Sequence, residues 1–139
     1  MITNADMTIY NQLPGEDGAV YYRTHLRGVN WQDSKQVVVV ANGFATKNVT
    51  QVFVPFDVET EKEYCKLMEY RSADKDKHFT LDNGDIAVRG IVEFDLTGEP
   101  RKDFKALKHT HNDVMIITSV VTCDIGSREM QHWELEVKA

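Results

Sequence analysis

Residues 113–137, DVMIITSVVTCDIGSREMQHWELEV, constrain this chain more than any other stretch. The first part carries apolar residues on both faces, the mark of a strand covered on both sides. A polar connection with one glycine, residues 124–131, follows it. Then comes strict alternation, with Trp133, Leu135 and Val137 directed inward and His132, Glu134 and Glu136 outward. Together these read as the central hairpin of a small β domain.

The rest of the chain supplies strands for that hairpin to pair with. Residues 7–11 read as a short edge strand, and the Pro-Gly-rich stretch 13–18 as a turn. Residues 19–27 alternate cleanly: Val20, Tyr22, Thr24 and Leu26 share one face, Tyr21, Arg23, His25 and Arg27 the other. That second, basic and aromatic face is a candidate docking surface through Tyr21, Arg23 and His25, or a solvated outer face. Residues 28–35 read as a loop carrying Trp31. The unbroken β-branched run 36–41, QVVVVA, predicts a buried strand, with Asn42-Gly43 as its turn. Residues 50–56 form the next strand, with Val52, Val54 and Phe56 on one face and Pro55 suited to an edge. Residues 77–81 and 85–96 flank Asp82-Asn83-Gly84, a strong hairpin signal, and Gly90 suggests a bulge. Residues 101–108 predict one or two helical turns, with Phe104 and Leu107 inward.

Residues 57–77 differ in character, with seven acids, five bases and no alternation. A short helix spaced through Tyr64, Leu67, Met68 and Arg71 fits part of the stretch. A connection this long inside a compact domain is usually functional or a solvated excursion. About eight strands and at most two short helices make a mainly β fold: a small β-barrel or sandwich, residues 1–139 as one domain, with a long inserted loop.

Composition narrows the function. With 22 acids against 16 bases the formal net charge is −6, which argues against gripping nucleic acid over the whole surface. No secretory signal stands at the N-terminus and no apolar run is long enough to cross a bilayer, so a soluble protein made in the cytosol is expected. Cys65 and Cys123 are expected as free thiols. His109 and His111, two apart, with His132, are the best metal-like group, although no HExxH or Cys-x-x-Cys pattern supports them. Surface histidines are the plainer reading. No nucleophile motif or phosphate loop occurs, so neither catalysis nor a cofactor is expected.

Four phrases together resemble a family of small proteins of unassigned function encoded in tailed phages and prophages of Gram-positive bacteria. They are GVNWQDSK (28–35), HFTLDNGDIAVRG (78–90), DVMIITSVVTCDIGS (113–127) and MQHWELE (130–136). The ending is also similar to head-closure, or stopper, proteins of long-tailed phages. The resemblance implies a virion structural protein: a barrel assembling as a homo-oligomeric ring, with portal or adaptor above and tail terminator or tail tube below. It would touch DNA transiently in its channel and no membrane. A tail terminator or other connector ring is the neighbouring alternative, and a small metal-binding or host-directed binding protein the alternative of another class. By position, Glu59, Glu61, Glu63, Lys66, Arg71 and Lys75 become the inter-subunit or channel loop, and Asp124 and Arg128 join the docking surface.

Overall fold

The computed structural model describes residues 2–16 and 18–139, with the side chains of 34–36, 38 and 46–48 outside that description. Asp17, within the expected turn at 13–18, is therefore also outside it. The chain runs β1 (Ala5–Gly15), β2 (Gly18–Val40), β3 (Gly43–Pro55), β4 (Glu63–Tyr64), α1 (Leu67–Tyr70), β5 (His78–Phe79), β6 (Ile86–Arg89), α2 (Pro100–Thr110), β7 (Val114–Cys123) and β8 (His132–Lys138). Six strands close into a barrel in the order β1-β2-β3-β8-β7-β6, and β4 with β5 makes a separate two-stranded parallel pair. The mainly β, barrel-like fold with two helices is thus as expected.

The terminal hairpin is present, β7 pairing β8 antiparallel from Ile116↔Lys138 to Cys123↔His132. Trp133, Leu135 and Val137 point into the barrel and are buried. The expectation that β7 is covered on both faces is corrected: Val114 and Ile117 are buried, but Val121 is half exposed. Cover from other elements lies at its start, where Leu107 of α2 packs with Val114 and β6 pairs with residues 114–116.

Burial on both faces falls instead to β1 and its neighbour β6, and β1 is the longer of the two. β1 is not the edge strand expected at 7–11, since it pairs with β2 on one side and β6 on the other. Met7 and Ile9 enter the barrel core with Leu26, Trp31, Val54 and Leu135. Tyr10, on the opposite face, packs with Ile86, Val88, Val92, Leu107 and Val114 under α2. Each such side chain contributes roughly 1.5–3 kcal/mol on burial.

Three further corrections concern boundaries. Residues 28–35 are not a loop: β2 continues through them, and Trp31 is buried. The side chain of Asn4 closes the end of the β1–β2 ladder there, accepting from the Trp31 backbone N–H at 2.8 Å and donating to its carbonyl at 3.0 Å. Residues 77–81 and 85–96 do not form a hairpin, because β5 pairs with β4 and β6 with β1 and β7. The second of these strands stops at Arg89, because Gly90 (φ 97°) turns the chain out of the wall. Thr8 holds that turn, its hydroxyl donating to the Gly90 carbonyl at 2.8 Å and accepting from the Val92 N–H at 2.9 Å.

After Gly90 the chain crosses the outside of β1 and β2 and enters α2, which begins on Pro100 at its first turn. Buried Asp103 organises this entry, accepting from the Thr97 N–H (2.9 Å), the Thr97 hydroxyl (2.7 Å) and the Gly98 N–H (2.9 Å). Burial disfavours its charge, but these donors outweigh burial and leave its carboxyl below the usual value. The loop so held packs on the β1–β2 hairpin, where a Cβ on Gly98 would meet the Ala19 carbonyl oxygen at 2.6 Å. Asp103→Ala therefore costs about 2–4 kcal/mol, leaving several donors unpaired. Urea unfolding at pH 7 reads this, and an unchanged midpoint would show the loop to be held by other contacts.

Candidate functional site: a projecting arm on a closed barrel

Residues 36–41 were expected to lie buried, on the strength of their β-branched run. The structure places this run on an exposed ribbon. Among the described residues, β2 beyond Trp31 has no strand partner but β3, and β3 pairs with β8 only from Thr50 onward. From Asp33↔Thr50 to Val40↔Gly43 the two strands therefore leave the barrel as an arm. At ~3.3 Å per residue the arm reaches roughly 23 Å. The Thr50 hydroxyl donates to Asp33 Oδ1 at 2.7 Å across its base. Gly43, at φ 128°, follows the Ala41-Asn42 turn at its tip.

Strand alternation sorts the arm's side chains. Val37 and Val39 share a face, and Phe44 lies opposite Val39 in the register. These three are 70%, 80% and 79% exposed, an apolar stripe that the described residues leave largely uncovered. Gln36 and Val38 complete the expected strand, but their side chains lie outside the described residues.

The acidic stretch 57–77, expected as the projecting loop, instead folds back on the barrel. Arg27 N–H donates to the Glu59 carbonyl at 2.8 Å, and Glu61 Oε1 accepts from the His25 N–H at 3.4 Å. Glu63 pairs in β4 with His78 of β5. Lys66 precedes α1, Arg71 ends it, and Lys75 Nζ donates to the Arg71 and Ala73 carbonyls while lying over the Tyr70 ring. The anchors are apolar: Tyr70 and Phe79 are fully buried, and Tyr64 stacks against Trp133.

The proposed docking residues divide into two groups. Tyr21, Arg23 and His25 are partly covered by the segment after Gly90. Arg23 donates to the Phe94 carbonyl (3.2 Å) and to Asp95 Oδ1 (2.9 Å), and His25 Nε2 lies 2.9 Å from the Val92 carbonyl. Burial, with Asp103 behind it, pushes the Tyr21 hydroxyl up to about 12. Asp124 and Arg128 are exposed in the β7–β8 connection, beside exposed Ile125 and Met130. Gln131 braces that connection by donating to the Asp124 and Gly126 carbonyls.

The three histidines also separate. His109 is exposed in the last turn of α2, and His111 caps that helix and packs on the Phe94 ring. His132 sits instead beside Cys123 and Glu134, the ligand atoms of all three lying within 4.8 Å of one another. Burial first, and then the charge of Glu134, raises the Cys123 thiol above its ordinary value.

Sequence reasoning missed a buried polar knot between β1 and the 80–85 segment. Asn11 Nδ2 donates to the Thr80 carbonyl at 2.6 Å and to Asp85 Oδ2 at 2.9 Å, and the Gln12 N–H donates to Asp85 Oδ1 at 3.0 Å. A lone Asn in an apolar strand was the available signal. The arm had one too: polar residues flank the valine run on both sides of Asn42-Gly43 at matching distance.

Comparison with known proteins matches residues 2–138 to the model of a family described as a family of unknown function (DUF6751). No curated protein and no solved structure matches the chain.

Proposed function

The chain belongs to this family of unknown function, and from that premise we propose that it is a ring-forming structural subunit of a phage head–tail interface, of the head-closure kind. One observation carries the reading: a closed barrel that sends out a long two-stranded arm with an uncovered apolar face. Closure removes open edges from a barrel's body, whereas no further strand among the described residues pairs with the arm near its tip, where its edges can take another chain. Two-stranded ribbons are marginal alone in water, so an arm of this length gains stability when a neighbour packs on it. A neighbouring copy in a ring supplies such a surface at every position.

The charge fits the same role. A net charge of −6 suits a ring through which DNA slides, because a basic lining would hold the phosphates. The proposed place, between portal or adaptor and tail, rests on the resemblance of residues 28–35, 78–90, 113–127 and 130–136 to phage proteins. No step in this function needs a catalytic residue.

The reading is tested on purified particles and on the isolated protein. Mass spectrometry of mature virions is expected to find the chain in multiple copies, and electron microscopy to find annular assemblies when it is mixed with portal or tail proteins. Absence from virions overturns the proposal.

A further inference from the structure

We infer that Cys123, His132 and Glu134 form a site for a divalent transition metal of the zinc type on the outer wall of the barrel. The β7–β8 ladder sets Cys123 directly opposite His132, and Glu134, two residues along β8, shares the face of His132. These are three different donors, a thiolate sulfur, an imidazole nitrogen and a carboxylate oxygen, which together make a zinc-type set. Sulfur and imidazole select against magnesium and calcium, which take oxygen donors.

The orientation of His132 is a second, independent observation. Its Nδ1 lies 2.8 Å from the Met130 carbonyl oxygen, which can only accept, so Nδ1 carries the hydrogen. Metal-bound histidines almost always donate their other ring N–H in this way, which fixes tautomer and ring plane. The Nε2 of His132 lies 3.1 Å from Glu134 Oε1, so the other ring nitrogen and the carboxylate converge on one position beside Cys123. The edge of Phe53 packs on the imidazole, with ring centroids 5.6 Å apart, and holds it in place.

Size agrees as well. Tetrahedral coordination at zinc bond lengths needs ligand atoms ~3.3–3.7 Å apart. With all three within 4.8 Å, small side-chain rotations close the site. The side chains of His132 and Glu134 are 18% and 42% exposed, so the fourth position opens to solvent.

This inference goes beyond the ring proposal and does not depend on it, because all three ligands come from one chain. The full-length protein, stripped with a chelator and dialysed, is titrated with zinc and with cobalt(II). One equivalent of cobalt is expected to give a thiolate-to-metal charge-transfer band in the near ultraviolet and ligand-field bands of four-coordinate intensity. Cys123→Ser is expected to abolish the charge-transfer band and weaken zinc binding by at least about 100-fold. Glu134→Gln, on the more exposed ligand, is expected to weaken binding while far-UV circular dichroism stays unchanged. Cys65→Ser and the pair His109→Ala and His111→Ala leave binding as it was. A folded protein with no stoichiometric band, a band that survives Cys123→Ser, or zinc that leaves the His132 imidazole NMR signals unmoved each overturns the assignment.

Discussion

Changing Val37→Thr, Val39→Thr and Phe44→Ser together is expected to abolish the proposed self-association and to leave the barrel folded. All three side chains are largely exposed in the single chain, so their loss changes its own stability by no more than about 0.5 kcal/mol each. Threonine keeps the β-branched form that suits a strand, so the arm keeps its shape. In an assembly the same side chains are covered, and each contributes roughly 1.5–3 kcal/mol on burial. Losing them weakens each subunit contact on the order of 1000-fold or more. Sedimentation velocity measures this, with thermal unfolding as the control for the barrel. A variant that assembles like the parent would remove the arm from the interface.

The second large effect is a stability that falls as pH rises. Asp85 is 3% exposed, and burial pushes its carboxyl from 3.8 up to about 7, although Gln12 and Asn11 donate to it and favour the charged form. A group whose folded pKa lies above its unfolded one contributes stability that is whole below the unfolded pKa. That contribution is lost as pH rises through the folded pKa. The folded chain therefore holds a proton between about pH 4 and 7 that the unfolded chain has released. Up to ~4 kcal/mol is lost across that window, about 1.4 kcal/mol for each pH unit. Urea unfolding at stepped pH reads the slope, and Asp85→Asn is expected to flatten it. Asp103 acts in the opposite sense and in a separate window. Its carboxyl lies below the ordinary value, so its contribution is lost only as pH falls through that lower range. A stability that rises from pH 4 to 7, or a falling slope that persists in Asp85→Asn, would rule out the protonated Asp85.

What was legible followed from local pattern. Alternation marked Trp133, Leu135 and Val137 as core, and all three are buried. Phe104 and Leu107 at helical spacing marked helical turns at 101–108, and α2 stands there. The misreadings share a cause: local pattern does not name the partner. Asn83-Gly84 did mark a turn, but β5 turned away to β4 and β6 went to β1. Residues 57–77 read as a projecting loop or a solvated excursion because their anchors, Tyr64 and Tyr70, stand isolated among charges. His132 was grouped with His109 and His111 by residue type, whereas the ladder put it opposite Cys123.

By itself the sequence determined the class of the fold and the inward face of its last strand, because side-chain alternation is a property of single strands. Burial is not such a property. The valine run at 37–40 has the composition of a core strand, and whether it is one depends on what lies across it. Only the tertiary structure decided that, by closing the barrel short of the run at Thr50↔Val137 and leaving Val37, Val39 and Phe44 in the open. The same closure folded β1 between two cores built from residues distant in sequence. Cys123 and His132 meet within one hairpin, and there it is the register of β7 on β8 that sets them opposite each other.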